Sequence, residues 1–234
     1  MFLWIDPLYL VLFIVTLVIS GAAQLYIKST FNKWNGVRNS SGLAGVQVGQ
    51  RLVSEVDFGG ARGSATGISF KVVPGDLSDH FDPRSKEVGL SQEVASRDSV
   101  AAMAVAAHEV GHAQQHAEGT VAMAARAFLV PAVTYSPTLS YVMILFGLIF
   151  NLSGLFWLGI VVFGLMVVFS LLTLPVEIGA SRRALAMLGE TGMLTTQEDE
   201  DGVKRVLTAA AMTYVAAAVT SILTLLYLIS RARN

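Results

Sequence analysis

Residues 105–119 read VAAHEVGHAQQHAEG and carry three of the chain's four histidines, His108, His112 and His116. Residues four apart on an α-helix are offset by about 40° around its axis, so His108 and His112 project from one face and can grip one metal ion. Glu109 lies about 100° round from His108, where its carboxylate can address a water held by that metal. The pairing has a chemical logic: Zn²⁺ activates the water and polarises a carbonyl, and the glutamate takes the proton. With four histidines and nine glutamates in 234 residues, roughly 0.003 such patterns are expected by chance. Coincidence is a poor explanation.

His116 follows by another four residues, about 6 Å further along the axis, and three successive ligands at that spacing cannot converge on one ion. A three-histidine zinc motif would need Gly at 115 and His at 118, where this chain has Gln115 and Glu118. His116 therefore reads as structural or solvent-facing, with a role beside the ligands or on the substrate side as the alternative. A catalytic zinc takes three protein ligands and leaves one position open. Cysteine is absent, so the third ligand should be a carboxylate from another helix. Glu177 and Glu190 are the candidates there, and Glu118 is a further one on the histidine helix itself. Glu177 stands in LPVEIGASRRAL, where Pro175 suits the first turn of a new helix and an acidic residue could simply favour the helix dipole. Glu190 and Glu118 read as solvated.

These residues sit in a greasy chain. Its hydrophobic content is 53% and its mean hydropathy +0.60, values of a membrane protein with a modest polar portion. The net charge of −1 gives no footprint for nucleic acid. About 20 apolar residues cross a bilayer. Residues 8–27 satisfy this, opened by Trp4 and Asp6-Pro7. Residues 137–174 are uncharged and broken at Asn151-Leu152-Ser153-Gly154, a membrane hairpin with its first arm starting at Ser136-Pro137. Residues 209–229 read as a fourth span, with a long buried helix as the alternative. Four spans put both polar segments, 28–131 and 175–207, on one side. Lys28, Lys33, Arg38, Arg126, Arg182, Arg183, Lys204 and Arg205 flank the spans there, against Arg231 and Arg233 opposite. That asymmetry predicts a cytoplasmic location for the polar segments. Within the first, residues 41–53 read as a helix and residues 67–73 and 87–90 as strands. Ser91 or Asp98 would cap the metal helix.

Three stretches together, LSDHFDPRSKEVGLS, VAAHEVGHAQQHAEG and LPVEIGASRRAL, resemble the bacterial integral-membrane neutral zinc metallopeptidase family of YugP type. That family is related to the HtpX and CAAX-protease gluzincins. The resemblance covers most of the chain, and its three motifs are more specific than the histidine pair alone. It implies His108, His112 and Glu177 as zinc ligands, Glu109 as the catalytic base and a protein or peptide as substrate. In the wider group an aspartate four residues after the ligand glutamate orients a ligating histidine. Here that position is Ser181, so Ser181 or Arg182 must serve instead. The mechanism implied is Glu-assisted attack of a zinc-bound water on a peptide bond. His80 would be an oxyanion or substrate-side group, with a turn histidine as its plainer reading. The strand at residues 86–90 would be an edge on which an extended peptide pairs.

The expected fold is a mainly α membrane protein of about four transmembrane helices with a small α+β zincin-like domain. An N-terminal span (1–27) leads to that domain (28–131). A membrane hairpin (132–174), a helical segment supplying the third ligand (175–207) and a C-terminal span with a short tail (208–234) follow. The location is the bacterial inner membrane, multi-pass, in contact with the lipid bilayer. A non-catalytic zinc-stabilised membrane scaffold or assembly factor is the alternative, but a structural site has no need of Glu109. An intramembrane protease is disfavoured because Arg97 and Asp98 precede a short apolar stretch. A transporter is disfavoured because the spans carry no ionisable side chain. The acidic run Glu198-Asp199-Glu200-Asp201 reads as a solvated loop.

Overall fold

The computed structural model describes residues 6–233; Trp4, expected to open the first span, lies outside them. Four helices are long and apolar enough to cross a membrane: α1 (Pro7–Asn35), α5 (Val121–Ile149), α6 (Ser153–Glu190) and α7 (Gln197–Arg233). Three shorter helices, α2 (Gly45–Glu55), α3 (Gln92–Ser96) and α4 (Val100–Ala117), and three strands, β1 (Ser69–Val73), β2 (His80–Asp82) and β3 (Glu87–Ser91), complete the described elements with one 3₁₀ turn at Gly63–Thr66. The chain is a mainly α membrane protein with a small α+β portion.

It divides into two compact units. One comprises the chain up to Gln24, Ala125–Pro175 and the chain from Thr213 onward. Its core is Ile144, Phe156, Ile160, Phe163, Val167 and Leu228. The Ser140 hydroxyl donates to the Gly159 carbonyl across the α5–α6 hairpin at 2.9 Å, the kind of polar tie that apolar helices use where lipid offers none. Asn151 adopts φ 55° at the tip of that hairpin. The first arm does not start at Ser136-Pro137: α5 begins at Val121 and runs through both Pro131 and Pro137. Each proline removes one backbone hydrogen bond, and neighbouring hydroxyls bond back to the helix, Thr134 to Val130 O at 2.7 Å and Ser136 to Ala132 O at 2.6 Å. In an apolar setting one lost bond costs less than exposing a whole helix end.

The other unit, Leu25–Ala124 with Val176–Met212, is organised around α4. Val100, Ala101, Ala102, Met103, Ala104, Ala106, Ala107 and Val110 are all fully buried there. Their small size lets Trp34, Leu52, Val94, Met187 and Leu188 close around the helix. The cap of α4 is Ser99, whose Oγ accepts from Ala102 N at 3.1 Å and donates to Asn35 Oδ1 at 2.9 Å. Neither expected cap serves: Ser91 caps the brief α3, and Asp98 is taken by Arg38 at 2.6 Å.

The strands form one sheet in the order β1-β3-β2, with β1 parallel and β2 antiparallel to β3. The segment expected to be an edge, β3, is therefore central. The alternating run around Gly89 is paired on both sides, and the free edge nearest the sequence motif belongs to the three-residue β2. The acidic run also differs from expectation. It forms the first turn of α7, where negative charge suits the helix dipole, and Asp199 is buried, accepting from the backbone and hydroxyl of Ser40.

Ser99→Ala removes a cap and leaves Asn35 Oδ1 without that donor. We expect a loss of about 1 kcal/mol or somewhat more, seen as a lower midpoint of thermal unfolding in detergent.

Candidate metal centre

Helix α4 presents His108 and His112 with their rings edge to face, centroids 4.7 Å apart at 84°. Glu177 reaches them from α6. Its Oε2 lies 3.2 Å from His108 Nε2 and 3.4 Å from His112 Nε2, and the carboxylate is only 2% exposed. Zn²⁺ bonded to nitrogen and oxygen at about 2.0–2.2 Å in tetrahedral geometry holds its ligand atoms about 3.3 Å apart. The observed spacings match that requirement, and all three candidate ligand atoms lie within 4.8 Å of one another. The donor set, two imidazoles and a carboxylate, suits zinc as well.

The approach of α6 to α4 depends on a missing side chain. A Cβ on Gly111 would stand 2.6 Å from the Ala180 carbonyl oxygen, closer than any real contact. Glycine at that position lets the two backbones meet within the very turn that carries the histidine pair. The helix that carries Glu177 does not begin at Pro175. It is α6, continuous from Ser153, with Pro175 inside it. Ending the helix there would strand the backbone groups beside the buried Val176 and Ala180, and a single absent N–H is the smaller cost.

Each imidazole is fixed at its other nitrogen. His108 Nδ1 lies 3.2 Å from the Ser181 hydroxyl and His112 Nδ1 3.1 Å from Gln115 Oε1; were Nε2 given to a metal, each Nδ1 would carry the ring proton and donate it there. Gln115 is itself held, donating through Nε2 to the Val176 carbonyl at 2.8 Å. Such partners set the tautomer and orient the ring toward a metal. Ser181 is thus in contact with His108. Arg182 is exposed and does not join the group. Gln115 was not anticipated. Its sequence neighbours, Gln114 and His116, are polar too, so only its tertiary contacts set it apart.

Burial pushes the Glu109 carboxyl up to about 7, with His108 acting to lower it and Asp79 and Glu177 to raise it. A carboxyl titrating near neutrality can both take and return a proton. Burial raises Asp79 as well, against hydrogen bonds from the backbone and hydroxyl of Ser91. Those bonds, at 2.7 and 3.2 Å, tie the start of β2 to the end of β3. Glu177, beyond the apolar stretch of α6, is also opposed by burial, but hydrogen bonds from His108 and His112 outweigh it and hold the carboxyl well below the ordinary range.

The remaining candidates lie elsewhere. His116 is exposed and packs its ring on Phe81, centroids 5.8 Å apart. His80 is exposed at the start of β2, with Nδ1 2.8 Å from the Ser78 carbonyl. Glu118 pairs with Arg183 through two contacts of 2.7 Å. Glu190 is exposed at the end of α6.

A family model described as "Putative neutral zinc metallopeptidase" matches residues 9–233. The chain belongs to that family. It is 39% identical over 219 residues, 94% of each chain, to "Putative membrane protease YugP" of Bacillus subtilis (strain 168). No solved structure matches it. Membership makes this a zinc metallopeptidase with Zn²⁺ as cofactor and a peptide as substrate, and the four apolar helices put the metallopeptidase in contact with the bilayer.

If Gln115 orients a ligand, Gln115→Leu should weaken zinc binding by about 10–100-fold. Competition against a chromophoric chelator measures this directly. An unchanged affinity would leave Gln115 as a packing residue only.

Proposed function

We propose that this metallopeptidase is a gluzincin-type endopeptidase. His108, His112 and Glu177 hold the zinc, and Glu109 is the catalytic base. The observation that carries the reading is the meeting of three buried or half-buried donors from two helices, with a fourth, protonatable carboxyl beside them. When bound, zinc supplies the Lewis acidity that activates a water and polarises the scissile carbonyl. Glu109 takes the proton of the attacking water and returns it to the leaving amine. Ser181 and Gln115 keep the two imidazoles from rotating while this happens. His80, exposed at the start of β2, is the substrate-side group of this reading.

The site is proposed to lie in the polar layer at the cytoplasmic surface of a bacterial inner membrane. Support comes from the eight-to-two distribution of flanking Lys and Arg over four spans. It also comes from the position of Glu177, three residues past the uncharged run that ends at Leu174. In this arrangement the domains are the N-terminal span, the metal-helix domain, the hairpin, the helical segment with Glu177 and the C-terminal span.

Two variants test the assignment in detergent-purified protein. Wild type should carry about one zinc per chain and Glu177→Ala much less, in keeping with three protein ligands at a catalytic zinc. Glu109→Gln should keep its zinc while peptide hydrolysis falls by about 10²–10⁴-fold. A zinc-loaded Glu109→Gln enzyme with full proteolysis would overturn the mechanism. Full zinc in Glu177→Ala would move the third ligand elsewhere.

A further inference from the structure

Helix α4 continues beyond the histidine pair, and so does the working face. His116 projects about 80° round from His108, within about 20° of the direction taken by Glu109, and stands roughly 6 Å further along the axis than His112. Beside it lies a cavity of about 290 Å³. One wall is the end of α4, where Ala113, His116 and Ala117 face it, and another is Phe81 of β2. The third is the loop between α2 and β1, which contributes Phe58 and the small Ala61 and Ala65.

This wall is built rather than loose. Gly59, Gly60, Gly63 and Gly67 all adopt positive φ, from 56° to 94°, so the loop takes a path that side-chain-bearing residues resist. A Cβ on Gly59 would stand 3.1 Å from the Ala117 carbonyl, and Gln114 Nε2 donates to the Asp57 carbonyl at 3.0 Å. The loop is thereby pinned against the end of the metal helix. Thr66, at its far end, is buried and donates to the Gly63 carbonyl at 2.8 Å.

The lining suits a ring. Phe81 and His116 already meet in a tilted contact, at 53° with centroids 5.8 Å apart, that a third aromatic group can join. Phe58, itself buried, and Lys86 also line the cavity, and a lysine side chain is attracted to a ring face. Alanines rather than larger residues keep the space open, and about 150 Å³ is enough for benzene.

We propose that this cavity is a specificity pocket that receives an aromatic side chain of the peptide substrate, a few residues from the bond that is cut. The assignment rests on the proposed function, because it takes the zinc and Glu109 as the place of cleavage. His116 is then a substrate-side residue, a binding group and not a ligand.

The test compares wild type with Ala65→Trp and Ala117→Phe, each of which fills the cavity from a different exposed wall. Purified zinc-loaded enzyme in detergent is given a library of peptides, and zinc per chain is measured for every variant. Wild type should cut with Phe, Tyr or Trp enriched at one fixed position. In either filled variant with zinc retained, the ratio of kcat/KM for the aromatic peptide over its alanine counterpart should fall at least ~10-fold. The same aromatic preference in both filled variants would overturn the pocket and leave the metal site untouched. Cleavage of no peptide by zinc-loaded wild type would overturn the protease reading itself, and the pocket with it.

Discussion

A carboxylate that is 2% exposed stays ionised only where cationic or hydrogen-bonding partners face it. Glu177 meets that condition by standing against two imidazoles on another helix, and a cation shared by all three groups satisfies it best. Much of the surrounding sequence follows from the need to bring α4 and α6 that close. Gly111 gives way to the Ala180 carbonyl, and Gly179 leaves room for the Gln115 amide, which would otherwise lie 2.6 Å from a Cβ. Gln115 then spans both helices, bonding a histidine on its own and a carbonyl on the other. Outside this contact, the Arg183–Glu118 pair joins the same two helices where both side chains are partly solvated and such a bond is worth less.

The second constraint is packing around α4. A helix fully buried on most of its circumference must be made of small residues if its neighbours are to be large. The alanine-rich run from Val100 to Ala107 meets this need, with Trp34 and Met187 among the groups that close on it. The same run reduces the side-chain entropy lost on burial, since alanine has none to lose. Its entry is fixed by Ser99, which serves the helix N–H and the Asn35 amide oxygen together. His108 and His112 are therefore carried by a helix that is packed along most of its length and capped at its start.

How much of this was legible in the sequence varied with the range of the interaction. The histidine pair, the neighbouring Glu109 and the long apolar stretches depend on local periodicity, and they could be read directly. Glu177 could be reduced to one of three carboxylates by chemistry, but choosing among them took the resemblance, because nothing local reveals which helix lies opposite. The strand at Glu87–Ser91 was found, yet its rank in the sheet was not. Edge and centre differ in their partners, and β2 is too short to announce itself. Prolines misled twice. Pro137 and Pro175 suit helix starts only where water meets the helix end, whereas within apolar or buried surroundings α5 and α6 run through them. Gln115 was passed over because only its tertiary partners, His112 and Val176, distinguish it from a surface amide.

The separation along the chain between His108 and Glu177 is 69 residues, and the hairpin of α5 and α6 lies inside it. On the proposed ligand set, a ribosome that has made the histidine helix has made only two-thirds of a metal site. The last donor emerges after both arms of the hairpin have been translated. Until then the chain holds the two imidazoles of the proposed set without their carboxylate partner.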